Sequence, residues 1–368
     1  VVEVRLPVTP DASCFSPDWV AARGRFVSSA IAAGATIETH AFEGVAPDDT
    51  PLSIDVARVG PAEAERVVVV SSGLHGVEGF LGSAVQAALL ELVLPGTALP
   101  DGVAVVLIHA LNPYGFAHLR RFDHENIDLN RNFLLPGEPY AGAPEGYAAL
   151  DGLLNPDSPP TALDPFLLRA AVEIVRHGMP ALKDAVAGGQ YEFPKGLFFG
   201  GSGPSVTQRW LAAHLPGWVS GAARVLHVDV HTGLGQAGYK LLVDHEDGSP
   251  GAAQLAEWFG GDVVQPWRND GVTYTIRGGL GTWCKATMGS HYDVVALEYA
   301  TVHILRVIAA LRAENRAHHF GQPSDGATER AKRELREVFA PSDRAWRDRA
   351  VADAVRVVEQ AISALSRG

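Results

Sequence analysis

The segment Ser71-Ser72-Gly73-Leu74-His75-Gly76-Val77-Glu78-Gly79 runs from an apolar strand through a glycine turn toward a helix and carries a His-x-x-Glu pair. On a helical turn, residues three apart lie on one face, so the His75 imidazole and the Glu78 carboxylate can converge on one ion. Nitrogen and oxygen ligands together suit zinc. The spacing alone says little, because in a chain with 14 His, uniform composition supplies about one such pair by chance. The chain holds a second, His40-Ala41-Phe42-Glu43, in a stretch whose alternation reads as extended chain. In a strand, positions three apart face opposite ways, so His40 and Glu43 should not share a metal.

A metal site needs a third anchor. In Leu226-His227-Val228-Asp229-Val230-His231-Thr232-Gly233 an apolar strand breaks into polar residues, and His227, Asp229 and His231 share one face by alternation. His231 is nearest the strand end, where α/β proteins place their sites, and is the third candidate ligand. His227 reads as a hydrogen-bonded core histidine. Past another apolar run, Arg131 beside Asn130 offers a guanidinium fork and an amide, the donors that hold a carboxylate. Arg120 and Arg121 add positive charge, so the three arginines read either as a site for an anionic group or developing oxyanion or as a solvated ion-pair cluster. Finally, Glu298 ends the apolar run Asp293 to Tyr299. Burial there would raise its pKa toward the range of a general base, whereas a lone Glu at a strand end can equally be a cap or an ion-pair partner.

The elements that must carry these residues are an alternation of apolar runs and amphipathic stretches, which predicts an α/β fold. Strands are expected at Arg66 to Ser71, Val103 to Ala110, Ala223 to Val230 and Asp293 to Tyr299, with extended chain at Ile37 to Glu43. Helices are expected at Gly79 to Leu94, Phe166 to Arg176, Gln254 to Phe259, Thr301 to Ala317, Thr328 to Phe339 and Ser342 to Ser366. Leu134 to Thr161, dense in Gly and Pro, reads as an excursion from the sheet. In the last helix Val351, Val355, Val358, Ile362 and Leu365 form an apolar face that needs a partner, either its own domain or a second copy in a homo-oligomer.

Composition narrows the function. With 368 residues, 47% hydrophobic, and a net charge of −12, the chain can bury a large core but has no broad positive field for nucleic acid. No run approaches the ~18 apolar residues of a membrane span, and the N-terminal residues lack a secretory pattern, so the expectation is a cytoplasmic protein with no membrane partner, a processed N-terminus aside. Cys14 and Cys284 alone make neither a disulfide framework nor a thiolate zinc cluster.

In their order along the chain, His75-x-x-Glu78, Arg120-Arg121, Asp128-Leu129-Asn130-Arg131-Asn132-Phe133, Asp229-Val230-His231-Thr232 and Glu298 resemble the zinc carboxypeptidase family and its aspartoacylase and succinylglutamate desuccinylase relatives, nearest a bacterial subgroup of carboxypeptidase-like proteins. The resemblance runs from about Val67 to Ala310. It implies a mixed, mostly parallel sheet flanked by helices: a catalytic domain over 1–320, an insertion over 134–222, and a helical extension over 321–368. It also implies a zinc ion on His75, Glu78 and His231, with a second ion left open, and Glu298 as general base. Asn130 and Arg131 would bind a substrate carboxylate, and Arg121 would polarise the scissile carbonyl, with Arg120 in its place if the register differs by one. Asp128 would fix the His75 imidazole and Asp229 would serve another ligand. Tyr274 is the counterpart of a loop tyrosine in carboxypeptidases, with Tyr292 and Tyr239 as competitors, and Tyr191 to Gly201 reads as a substrate-facing loop. The substrate would be a peptide or an N-acyl amino acid with a free carboxylate. The rival reading is a non-catalytic module that binds a metal or carboxylate.

Overall fold

Val67, Val68, Val69 and Val70 are all buried, and successive side chains of a strand alternate between its two faces, so this strand must be covered on both. The computed structural model describes residues 9–96, 98–161, 164–177, 188–233, 235, 238–266 and 276–367. In chain order, α1 (Trp19–Ala32) precedes β1 (Thr36–Val45), β2 (Pro51–Val59) and β3 (Arg66–Ser72). A 3-10 turn (Gly76–Glu78) leads into α2 (Gly79–Ala88), followed by β4 (Val103–His109) and α3 (Pro113–Ala117). Next come α4 (Tyr147–Leu154), α5 (Phe166–His177), α6 (Val206–Trp218), β5 (Arg224–Thr232), β6 (Tyr239–Val243), α7 (Pro250–Phe259) and β7 (Val264–Pro266). Then follow α8 (Leu280–Met288), β8 (Tyr292–Tyr299), α9 (Ile304–Phe320), α10 (Gly326–Phe339) and α11 (Arg344–Arg367).

The described strands form one sheet in the order β1-β2-β4-β3-β5-β8-β6-β7. Its centre, β4-β3-β5-β8, is parallel. One edge is the antiparallel run β1-β2-β4; at the other, β6 is antiparallel to β8 and parallel to β7. The chain leaves β3 for β4 on one side and later returns to β5 on the other. This reversal opens a crevice at the carboxyl ends of β3 and β5, the usual position of a site in such sheets. Val68, Val70, Leu226, Val228 and Val230 face a cluster shared with α2 and α11, while Val67, Val69 and Val225 face one that includes Phe116 and Trp283.

The mixed α/β sheet agrees with the sequence reading at its centre and extends it at the edges. β2, β6 and β7 were not expected, and the helix expected from Gly79 to Leu94 is α-helical only to Ala88, then a π turn over Leu89–Val93 and a 3-10 turn over Leu94–Gly96. Among the described residues Gly76–Val93 is long and apolar enough to cross a membrane, yet it is 83% buried inside this fold. The apolar face of the last helix is covered by its own chain: Val351, Val355, Val358, Ile362 and Leu365 join the cluster of Val68 and Leu226.

Candidate metal centre

The His-x-x-Glu pair sits on the tight turn after β3. His75 is the residue before the 3-10 turn Gly76–Glu78, and that turn brings its Nδ1 to 2.9 Å from Glu78 Oε1. The turn lies against the segment after β4: a Cβ on Gly76 would fall 2.1 Å from the Gly115 carbonyl carbon, so no larger residue fits. Two backbone bonds fasten the same contact, Gly76 N–H to Arg121 O (3.1 Å) and Val77 N–H to Arg120 O (2.8 Å).

His231 reaches the site from the end of β5. Its Nδ1 is 3.1 Å from Glu78 Oε2, and the Thr232 N–H donates to that oxygen at 2.9 Å. Ligand atoms of His75, Glu78 and His231 lie within 4.8 Å of one another, and all three side chains are buried. Each imidazole turns its other nitrogen to a carboxylate: His75 Nε2 is 3.1 Å from Asp128 Oδ1, and His231 Nε2 is 2.6 Å from Asp229 Oδ2. That is how a protein fixes the tautomer of a metal-binding histidine. The donor set fits a zinc-like ion, two imidazole Nδ1 atoms and one carboxylate gathered at one point.

The electrostatics follow from crowding charge away from water. Burial pushes the Glu78 carboxyl up, but the charge and hydrogen bonds of His75 and His231 outweigh it and hold it below its usual range. Burial likewise raises Asp128, and the charges of Arg121, His75 and Arg131 reverse that and hold it well below its ordinary value. Burial disfavours charged His231, yet the Asp229 carboxylate beside it keeps its pKa well above normal.

Glu298 is the in-register neighbour of His231 on the adjacent parallel strand, so both side chains leave the sheet on one face. It is buried, and its Oε2 has no hydrogen-bond partner among the described residues. Burial pushes its pKa up to about 7, against the opposing charge of His231. Among the described residues Glu298 makes neither a cap nor an ion pair.

The two adjacent arginines part company. Arg121 donates from Nε to Asp128 Oδ2 at 2.9 Å and from Nη1 to Glu78 Oε1 at 3.3 Å, and its Nη2 lies 2.7 Å from His75 Nε2. Arg120 turns the other way, fully buried, with Nε donating to Glu314 Oε1 (3.0 Å) and Nη2 to Asn126 Oδ1 (2.8 Å) and Asn315 Oδ1 (3.2 Å). The alternative register with Arg120 facing the metal ligands is therefore corrected: its charge is spent on α9. Asn130 and Arg131 follow Asp128 on a single 3-10 turn, where Asn130 Oδ1 accepts from Leu280 N–H at the start of α8 (3.0 Å). Arg131 is buried, and Tyr191 O–H donates to its carbonyl at 2.7 Å.

The stretch Tyr191 to Gly201, read from the sequence as a substrate-facing loop, brings one side chain to this surface that the sequence did not single out. The Phe198 ring lies 5.6 Å from the Arg121 guanidinium and 5.9 Å from that of Arg131, so one aromatic ring serves both cations. Phe198 adopts φ +59°, which a non-glycine residue rarely does, and the aromatic and glycine content of Tyr191 to Gly201 was the only hint of it. Tyr274 lies outside the described residues. Its two competitors are committed elsewhere, Tyr292 to His227 (2.9 Å) and Tyr239 to a stack on Tyr299 (ring centroids 6.3 Å).

This topology, with the candidate ligands on the turns and strand ends of the parallel centre, is the mixed, mostly parallel α/β fold implied by the sequence resemblance. Thrombin activatable fibrinolysis inhibitor shares it at a TM-score of 0.52 and 11% identity, over 95% of this chain and 74% of that one. Two further solved structures are similar at lower scores. Carboxypeptidase A from Helicoverpa armigera gives a TM-score of 0.46 and 13% identity, over 89% of this chain and 75% of that one. Succinylglutamate desuccinylase from Chromobacterium violaceum gives 0.40 and 16%, over 90% and 76%. The chain belongs to the family described as "Protein of unknown function (DUF2817)", whose pattern matches residues 15–353. No curated protein sequence matches it.

Proposed function

We propose that this protein is a zinc-dependent hydrolase that cleaves an amide or peptide bond next to a carboxylate. The observation that carries the reading is the convergence of three buried ligand atoms within 4.8 Å, beside a buried carboxyl whose Oε2 has no partner. The chemistry an ion would supply there is Lewis acidity, which polarises a carbonyl and acidifies water.

The chain's own residues do the rest. His75, Glu78 and His231 hold the ion, and Asp128 and Asp229 fix the two imidazoles with Nδ1 turned inward. Glu298 takes the proton of the attacking water at Oε2 and returns it to the leaving amine. Its raised pKa suits both steps. Arg121, whose guanidinium already touches Glu78, faces the negative charge that develops on the carbonyl oxygen. Asn130 and Arg131 hold the substrate carboxylate, and the Phe198 ring packs near both the Arg121 and the Arg131 guanidinium.

Elemental analysis of the purified protein, followed by assay on a panel of peptides and N-acyl amino acids, tests this. The expected result is stoichiometric zinc and hydrolysis that requires a free carboxylate on the substrate. Preference for the peptides or for the N-acyl amino acids separates a carboxypeptidase from a deacylase. No transition metal and no activation by added zinc would overturn the reading, and metal without turnover would favour a binding module.

A further inference from the structure

Below the metal ligands, three neighbouring parallel strands bury polar side chains that ligation does not require. Ser71 on β3, His227 and Asp229 on β5, and Tyr292 on β8 are each at most 2% exposed, among Val67, Val69, Val225 and Val294. The in-register pairing Ser71↔Asp229 and Val225↔Tyr292 aligns them on one face of the sheet. Tyr292 Oη is 2.9 Å from His227 Nδ1, and His227 Nε2 is 2.7 Å from Ser71 Oγ. Ser71 Oγ is in turn 2.6 Å from Asp229 Oδ1, and Asp229 Oδ2 is 2.6 Å from His231 Nε2.

The direction of each hydrogen follows from one constraint. An ionised carboxylate only accepts, so Ser71 O–H donates to Asp229. Its one proton being used, Ser71 Oγ must accept from His227 Nε2–H. Burial lowers the His227 pKa to about 4, so the ring is neutral and its Nδ1 is a bare acceptor for Tyr292 O–H. All donation runs toward Asp229, which meets the His231 N–H from the opposite side. A carboxylate held on both oxygens cannot rotate, and its orientation dictates that of the His231 ring.

We propose that Ser71, His227 and Tyr292 form a one-way hydrogen-bond relay that positions Asp229, and through it presents His231 Nδ1 to the metal. The three are positioning residues, and the proposal rests on the metal centre of the proposed function. Core packing alone would bury apolar residues here at less cost than four polar groups.

The test combines zinc affinity by chelator competition, the visible spectrum of the cobalt(II)-loaded protein, melting of the metal-free protein, and 15N NMR of histidine-labelled protein. The relay predicts His227 protonated on Nε2 only. It predicts about 10–100-fold weaker zinc binding and an altered cobalt spectrum for Ser71→Ala, in the range seen when groups behind a metal ligand are removed. His227→Phe should behave alike. His227→Gln, which keeps a donor toward Ser71, should recover most of the affinity, and Tyr292→Phe should lose least. A His227 ring protonated on Nδ1 would overturn the relay. So would wild-type affinity and an unchanged cobalt spectrum in Ser71→Ala with only a lower melting temperature, and in that case the metal centre would stand. A wild-type protein that binds neither ion would overturn the metal centre and, with it, the role of the relay.

Discussion

His40-x-x-Glu43 and His75-x-x-Glu78 have the same spacing and opposite fates. On β1 the two-residue period sends His40 and Glu43 apart: His40 Nε2 finds Glu38 at 3.2 Å, two positions away on its own face, and Glu43 sits 3.8 Å from His124. On the turn after β3, three residues bring His75 and Glu78 back to one side. Burial separates the pairs further. Glu38 and Glu43 have exposed side chains, and water screens them, whereas Glu78 is sealed in and its charge must be met by partners within the fold. A ligand motif is thus a spacing together with the backbone that carries it.

The largest effect that would break this contrast is loss of metal. His75→Ala is expected to reduce zinc from stoichiometric to near none by elemental analysis and to abolish hydrolysis; full zinc retention would place the site elsewhere. Glu298→Gln asks whether the buried pair is a metal site only or a reaction centre. It should keep its zinc and lose about 10²–10⁴-fold in kcat, the usual contribution of a general base. Arg121→Met and Arg120→Met carry the comparison to neighbours one residue apart. The first should lower kcat by about 10²–10³-fold, or ~2.7–4 kcal/mol, and, because it leaves the buried Asp128 without its guanidinium, should lower the melting temperature as well. The second leaves Glu314 buried without its guanidinium and should cost about 3–5 kcal/mol of stability in denaturant titration. The smallest effect is expected for the double variant His40→Ala, Glu43→Ala. Zinc and kcat should match wild type, and stability should stay within about 0.5 kcal/mol.

Residues whose environment is set by their own segment were legible in the sequence. The parallel centre of the sheet was, because strands buried on both faces are continuous apolar runs, as in Val67 to Val70. β2 was not, because its buried Ser53 and Asp55 break that pattern; Arg23 on α1 (2.8 Å) and Thr39 on β1 (2.6 Å) meet the Asp55 carboxylate. β7 is three residues long, too short for any period to show. In the site, His75, Glu78, His231 and Glu298 stood out as polar residues ending apolar strands. Which of Arg120 and Arg121 turns inward did not, since the choice is made by Glu314, 194 positions further along. Nor did the line from Tyr292 to Asp229, which exists only once three strands are in register.

The contact of Gly76 with Gly115 has a consequence for how such a protein can change. Because backbone bonds tie the turn bearing His75 and Glu78 to Arg120 and Arg121, the candidate ligands and Arg121 form one unit whose internal spacing is inherited from the sheet. The stretch ending in Phe198 reaches that unit by side chains and loop backbone. If the site works as proposed, exchanging that loop would change what the site accepts while leaving the spacing of His75, Glu78 and Arg121 as it is.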